Sequence, residues 1–461
     1  MDGIFGQDGC LCVCKVLCFG ERGWEPEPMP RFFISVFGCQ MNKLDGELLE
    51  GLFVERGWEP AESVRDADVA VFLGCSVRQH AEDRLLSRVG RLKFLKRKRP
   101  EMVVAVCGCI AQVRREEILK RLPFVDLVVG PGSLSRLPEL SEALLAGAKR
   151  PVCCYERLNG EFDERRRIKG GFSAFLRVMR GCSRACSYCV VPRARGPALS
   201  RPPDAILSEA QKLADAGVKE IVLIGQDVSA YRFGDVDFAR LLQLVAQIEG
   251  PKRFGFVTSH PLSVSTRLFE VMADNPRISR YLHMPAQSGS DRILRLMRRG
   301  YSAEQYIQTV QTARSIINDL EVASDFIVGF PTETEEDFAA TLRLVYRCAF
   351  INSFIFKYSP RPHTLAAKMA DDVPLSVKKE RNLRLLEAQS EVSLQRKRGL
   401  LGRTVAVLVE GRDKKSQRLR GRTFNNHIVV FDGSAAVGDV VFVKIEKVTP
   451  LTAFGRMEGV R

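Results

Sequence analysis

Three cysteines, Cys182, Cys186 and Cys189, stand at the spacing C-x3-C-x2-C in the stretch "MRGCSRACSYCVVPRARG" (residues 179–196). Thiolates this close in sequence are suited to one shared metal centre. A zinc site would want a fourth protein ligand from a second C-x2-C or an H-x3-5-H pair, and neither follows. His260 and His283 are available, but each reads more readily as an ordinary polar group of the fold. A cubane iron–sulfur cluster has four irons, and each takes an external ligand. Three cysteines leave one iron open to a small chelating molecule.

A second set is spread more widely. "RFFISVFGC" ends at Cys39, "DADVAVFLGC" at Cys75 and "EMVVAVCGC" at Cys109, 36 and then 34 residues apart. Each is an apolar, β-branched run of strand length followed by Gly and then Cys. After Cys39, Leu44, Leu48, Leu49, Leu52 and Phe53 recur at helical spacing. Strand–helix alternation implies a parallel sheet with helices on its faces, and sites in such sheets form beyond the carboxyl ends of the strands. The three cysteines all fall at that end and are expected to converge as ligands. Burial as small hydrophobes would explain one of them more easily than three. Cys107 precedes Cys109 by two residues and is expected in the core.

These ligands must be positioned by larger elements. A charged linker, "NGEFDERRRIKGG" (residues 159–171), precedes six strand-like runs at 175–179, 220–225, 254–259, 281–285, 323–330 and 353–359. Helical stretches such as 208–217 lie between most of them. Six βα units predict a barrel or part-barrel whose active edge is at the carboxyl ends of the strands. A charged helical segment, 376–398, leads to "TVAVLVEG", "HIVVFDG" and "DVVFVKIEKV", short strands with no room for helices. They predict a small all-β barrel of the oligonucleotide-binding kind. The expected organisation is an α/β chain: an extension over 1–30, a parallel-sheet domain over 31–150, a partial (βα)6 barrel over 168–398 and the all-β barrel over 400–461.

Composition agrees with several domains in 461 residues, 45% hydrophobic and 27% charged. No run of 18 or more apolar residues is present, so no membrane-spanning helix is expected. The 70 basic residues outnumber the 55 acidic ones, giving +15, which favours a polyanionic partner. Fourteen cysteines without a secretory pattern in the first 30 residues argue for metal or catalysis in a reducing cytoplasm. Met29 reads as a plausible initiator, with residues 1–28 a disordered upstream extension. Its Cys10, Cys12, Cys14 and Cys18 would need a fold around them to form a third site. Cys153, Cys154 and Cys348 read as ordinary thiols. Of three basic runs, 91–99 is expected to be a helix face, 165–169 a linker, and 412–422 a phosphate-binding surface on the last barrel. Arg193, Arg195 and Arg361 are expected at strand ends, where Arg binds carboxylate or phosphate by two points.

The loop at 179–196, with the aromatic Tyr188 just before its third cysteine, resembles the signature of radical S-adenosylmethionine (radical SAM) enzymes. In that superfamily SAM chelates the open iron through its amino and carboxylate groups, and cluster reduction cleaves it to a 5′-deoxyadenosyl radical. From Arg31 onward the resemblance sharpens to the methylthiotransferase family. It is carried by "GCQMN", "GQDVSAYR", "TSHP", "QSGS", "SDFIVGFPTETEEDF", "YSPRPHTLAA" and "GRTFNNHIVV". Asp227, Ser229, His363 and Phe424 depart from the residues usual there.

The resemblance implies a three-cysteine N-terminal domain, a radical SAM core and an RNA-binding TRAM domain. It implies two 4Fe-4S clusters, one on Cys182, Cys186 and Cys189 with SAM, the other an auxiliary, sulfur-carrying cluster on Cys39, Cys75 and Cys109. All six cysteines would be catalytic, and SAM would serve as radical source and methyl donor. Tyr188, Gly225, Gln226, Gln287, Ser288 and Gly329 are the further expected cofactor contacts: Gly225 and Gln226 at the SAM amino group, Gln287 and Ser288 at its carboxylate or the base, Gly329 beside the adenosyl group. The implied reaction adds methylthio to carbon 2 of an isopentenylated adenosine 37 beside the tRNA anticodon. The implied protein is monomeric, binds no membrane, and takes electrons from a flavodoxin or ferredoxin. The alternatives are a ribosomal-protein side chain or threonylcarbamoyl-adenosine tRNA as acceptor, or a non-catalytic iron–sulfur RNA-binding sensor.

Overall fold

Side-chain alternation sets the N-terminal sheet. In the strand Val69–Gly74, Val69, Val71 and Leu73 join one buried cluster while Ala70 and Phe72 join another on the opposite face. Both faces are therefore covered, as a parallel sheet requires. The computed structural model describes residues 29–156, 162, 166–168 and 170–460. The expectations for residues 1–28, with their four cysteines, lie outside the described residues, as does most of the expected linker. Met29 itself is exposed.

The sheet runs in the order Glu59–Pro60, Arg31–Phe37, Val69–Gly74, Val103–Gly108, Leu127–Val129, Val152–Cys154, with every pairing parallel. Phe37 is level with Gly74, and Gly74 with Gly108. The helix Gln40–Glu55 buries Leu44, Leu48, Leu49, Leu52 and Phe53, the positions its periodicity marks. Each such side chain contributes about 1.5–3 kcal/mol of burial. Cys107 is fully buried, as alternation requires.

The six expected barrel strands are present as Ser173–Arg177, Glu220–Ile224, Arg253–Phe256, Tyr281–His283, Glu321–Val328 and Asn352–Lys357. They form two parallel three-stranded sheets joined by the bridge between Phe254 and Ile278. Leu176, Leu223, Phe254, Leu282 and Phe326 sit in one core with the flanking helices. The helix Leu375–Arg398 packs back on the last strand. The final five strands, Thr404–Arg412, Leu419–Thr423, Ile428–Asp432, Val440–Val448 and Thr452–Val460, close into a barrel around Val407, Val409, Phe431 and Val443.

That small barrel docks where the large barrel's strands begin. Arg253 and Glu220 contact Arg422 and Glu410, Arg280 and Ser279 bond the carbonyl of Phe424, and Glu321 pairs with His427. The opposite end, where strands finish, is left to the N-terminal domain. There Met41 and Leu44 pack on Ile224.

Candidate metal and cofactor site

The auxiliary trio is gathered by backbone crowding. Gly38 has φ +135°, and a Cβ on it would lie 2.3 Å from that of Cys75, so only glycine lets the first strand end this close to the second. Cys75 and Cys109 each follow the level pair Gly74 and Gly108, while Cys39 lies two residues past Phe37. The Cys39 and Cys75 thiols share a hydrogen bond, and that bond, opposed by burial and helped by Arg195, lowers the Cys39 thiol from its ordinary range. The same bond, with burial, raises Cys75. Burial raises Cys109, opposed by Arg195. The Val77 N–H also reaches the Cys75 sulfur at 3.3 Å.

The second trio lies on the loop after the strand-like pair Met179–Arg180. The Cys182 N–H donates to the Gly196 carbonyl at 3.1 Å and the Cys189 N–H to the Cys186 carbonyl at 3.2 Å, which curls the loop on itself. The Arg184 N–H reaches the Cys182 sulfur at 3.4 Å. Cys182, Cys186 and Cys189 feel one another electrostatically, and burial pushes Cys189 up to about 12. Buried thiols of this kind keep their protons until a cation replaces them.

Each trio has a buried arginine on one sulfur. Arg195 donates from Nε to Cys109 Sγ at 3.2 Å and from Nη2 to Asn42 at 3.0 Å and to Asp45. Arg299 donates to Cys186 Sγ and to Tyr188 Oη, both at 3.4 Å. Neither partnership was expected from sequence. Arg195 was placed at a strand end and in fact closes the short helix Val191–Arg195; Asn42 lies in the quoted "GCQMN". Arg361 was expected to reach ligand groups, and instead holds Gln79 at 2.7 Å and Glu82 at 3.7 Å across the domain boundary. Arg193 is exposed.

Among the described residues no three His, Cys, Asp or Glu side chains form a group able to hold a single metal ion. In a polynuclear centre each thiolate holds its own iron, so ligands stand farther apart than around a single ion, a demand that all-thiol trios are compatible with. His283 pairs with Asp325 at 3.0 Å. Burial, with Arg299 and Arg184, lowers His260 far below its ordinary range, and its Nδ1 accepts from the Leu262 N–H.

Past the barrel strands, four buried polar atoms lack hydrogen-bond partners among the described residues: Gln226 Oε1, Ser259 Oγ, His260 Nε2 and Gln287 Oε1. They follow three successive barrel strands at their carboxyl ends, which fits a ligand carrying amino and carboxylate groups. Gln287 adopts φ +73° between backbone bonds to Asp325 and Ile327. Gly225 leaves no room for a side chain, since a Cβ would meet Met179 Cγ at 2.6 Å. Ser288 is 1% exposed and its hydroxyl is engaged by Thr341 and the Ser290 N–H. At Gly329 the space of a Cβ is taken by the Lys378 side chain, so packing of the long C-terminal helix accounts for that glycine.

A cavity of about 1780 Å³ opens between the two domains, with Gly38, Arg78 and Gln79 on one wall and Tyr188, Cys189 and Gln287 on the other. Arg84, Arg88 and Arg91 also line it. Within the basic run 91–99, Lys96 and Arg99 are instead held by Asp126 and Asp68. In the run 412–422, Arg418 and Arg422 are similarly spent on Asp432, Glu410 and Glu220. Lys414 and Lys415 remain exposed there.

Comparison with known proteins adds three family matches. Residues 31–130 match the uncharacterized protein family UPF0004, residues 176–345 the radical SAM superfamily, and residues 398–457 the TRAM domain. The chain is 40% identical over 457 residues to a protein of Rhodopirellula baltica named tRNA-2-methylthio-N(6)-dimethylallyladenosine synthase, covering 93% of this chain and 95% of that one. It is 43% identical over 413 residues to one of the same name from Ralstonia pickettii, covering 87% and 90%. In fold it is similar to the radical S-adenosylmethionine methyltransferase TsrM from Kitasatospora setae, with TM-score 0.52 and 14% identity over 74% of this chain and 77% of that one.

Proposed function

The chain belongs to the tRNA-2-methylthio-N(6)-dimethylallyladenosine synthase family of radical SAM methylthiotransferases, and on that footing we propose that it adds a methylthio group to carbon 2 of N(6)-isopentenyladenosine at position 37 of tRNA. The observation that carries this reading is that Cys189 and Gly38, the neighbour of Cys39, line one cavity. A radical source and a sulfur source held on these two walls face the same substrate. When bound, SAM and two 4Fe-4S clusters supply the radical, the methyl group and the sulfur.

The chain's own residues bind and position. Cys182, Cys186 and Cys189 hold one cluster, and Cys39, Cys75 and Cys109 the other. The unpartnered oxygen of Gln226 would accept from the SAM ammonium, and Gln287, whose own unpartnered atom is likewise the amide oxygen, would offer its amide N–H to the carboxylate or to the base. Arg299 fixes Tyr188 beside the cluster loop. Arg84, Arg88 and Arg91 offer phosphate contacts at the cavity wall, and Lys414 and Lys415 offer them on the TRAM barrel.

The described cysteines are all free, in keeping with a reducing compartment, and no described helix is long and apolar enough to cross a membrane. The reading takes the protein as a cytoplasmic monomer served by a flavodoxin or ferredoxin. The test is anaerobic reconstitution with iron and sulfide, then SAM, reductant and isopentenylated tRNA lacking methylthio. Nucleoside mass spectrometry should show methylthio in place of hydrogen. Formation of 5′-deoxyadenosine without that nucleoside would send the activity to another acceptor.

A further inference from the structure

The radical SAM loop reaches directly into the other cysteine site. Two residues after Cys189 begins the helix Val191–Arg195, whose Ala194 packs with Val190, Cys109 and Val113. Arg195 at its end is 4% exposed and places Nε 3.2 Å from Cys109 Sγ. Its Nη2 is taken by Asn42 and by Asp45, itself 2% exposed. Arg177 stands 3.6 Å from the other Asp45 oxygen. A cation thus lies against one thiol with an anion paired to its far side, both out of water.

Reduction adds an electron to an iron–sulfur cluster and spreads negative charge onto its sulfurs. Hydrogen bonds to those sulfurs and nearby cations favour the reduced form, and nearby anions oppose it. Such effects are strengthened where solvent cannot screen them. We propose that Arg195 is a positioning residue that raises the reduction potential of the cluster on Cys39, Cys75 and Cys109 through its hydrogen bond to Cys109, and that Asp45 tempers that effect. This rests on the reading that those three cysteines hold a cluster. One arginine then ties the potential of the sulfur-bearing site to the placement of the radical SAM loop.

The experiment uses the full chain, reconstituted anaerobically, carrying Cys182→Ala, Cys186→Ala and Cys189→Ala so that only the N-terminal cluster is seen. Potentiometric titration followed by electron paramagnetic resonance reads its midpoint. Arg195→Gln should move the midpoint to a more negative value, Asp45→Asn to a more positive one, and Arg195→Lys should fall between Gln and the unsubstituted residue. A residue that merely props the fold would not give shifts of opposite sign at full iron content. Midpoints that do not move, or that move in the same direction in Arg195→Gln and Asp45→Asn, overturn the proposal while leaving the cluster in place. Absence of any cluster in the triple-alanine background overturns the cluster reading as well.

Discussion

Arg253 of the large barrel donates to Glu410 of the small barrel at 3.0 Å and to Glu220 at 2.6 Å, with its side chain only 1% exposed. It also bonds the carbonyls of Arg422 and Thr423 at 3.3 and 3.1 Å. This guanidinium is the buried bolt between two domains. Arg253→Met leaves two carboxylates and two carbonyls short of a donor. It should cost about 3–5 kcal/mol, measured by denaturant unfolding, and should open the segment around residue 400 to limited proteolysis. A loss below about 0.5 kcal/mol would show that the domains are held otherwise.

Separate cysteine trios should be separable by substitution. Cys39→Ala with Cys75→Ala and Cys109→Ala should bind roughly half the iron of the unsubstituted protein. That variant should still form 5′-deoxyadenosine and yield no methylthiolated nucleoside. Cys186→Ala alone should abolish 5′-deoxyadenosine. Retention of methylthio product by the N-terminal variant would refute the assignment of sulfur to that site.

Glu333 gives a pH signature. Burial pushes its carboxyl from 4.5 up to about 7, against the Gly329 N–H and the Arg381 guanidinium that favour the ionised form. The folded state holds this proton more tightly than the unfolded one. The stability it contributes is complete below pH 4.5 and is lost as pH rises through 7, by up to about 3 kcal/mol. The thermal midpoint of the unsubstituted protein should fall from pH 5 to pH 8 relative to that of Glu333→Gln. Parallel profiles for the two proteins would contradict the shift.

Lys414 and Lys415 lie on the exposed turn between Arg412 and Leu419, where the Lys415 backbone N–H donates to the Asp413 carboxylate at 3.1 Å and, among the described residues, neither ammonium forms an ion pair. Replacing both with Ala should weaken tRNA binding several-fold. It should also flatten the dependence of log affinity on log salt by about one unit per lysine. Filter binding at several salt concentrations checks this, and an unchanged slope would place the phosphates elsewhere.

What was legible in the sequence was what local pattern encodes. Repeated apolar, β-branched runs followed by Gly and Cys placed Cys39, Cys75 and Cys109 at the same end of one parallel sheet, where the structure has them. Arg195 and Arg299 were not legible as cysteine partners, because their contacts join positions 86 and 113 residues apart and leave no periodic trace. The basic run 412–422 did not reveal which of its side chains stay free for phosphate. Only the folded chain shows that Arg418 and Arg422 are neutralised by Asp432, Glu410 and Glu220. At Gly329 the sequence did not show that Lys378 fills the space of a side chain.

The level pairs Phe37 with Gly74 and Gly74 with Gly108 make the N-terminal cysteines a matter of counting. A strand presents successive side chains to opposite faces, so an inserted or deleted residue within any of the three strands would swing its thiol away from the other two. Point changes along these strands trade only packing, whereas a frame slip displaces a thiol outright. Length variation is free at the far edge of the sheet, in the loops that enter the strands, and forbidden between there and the glycines. A site built from these three thiols would thus fix the length of its own scaffold.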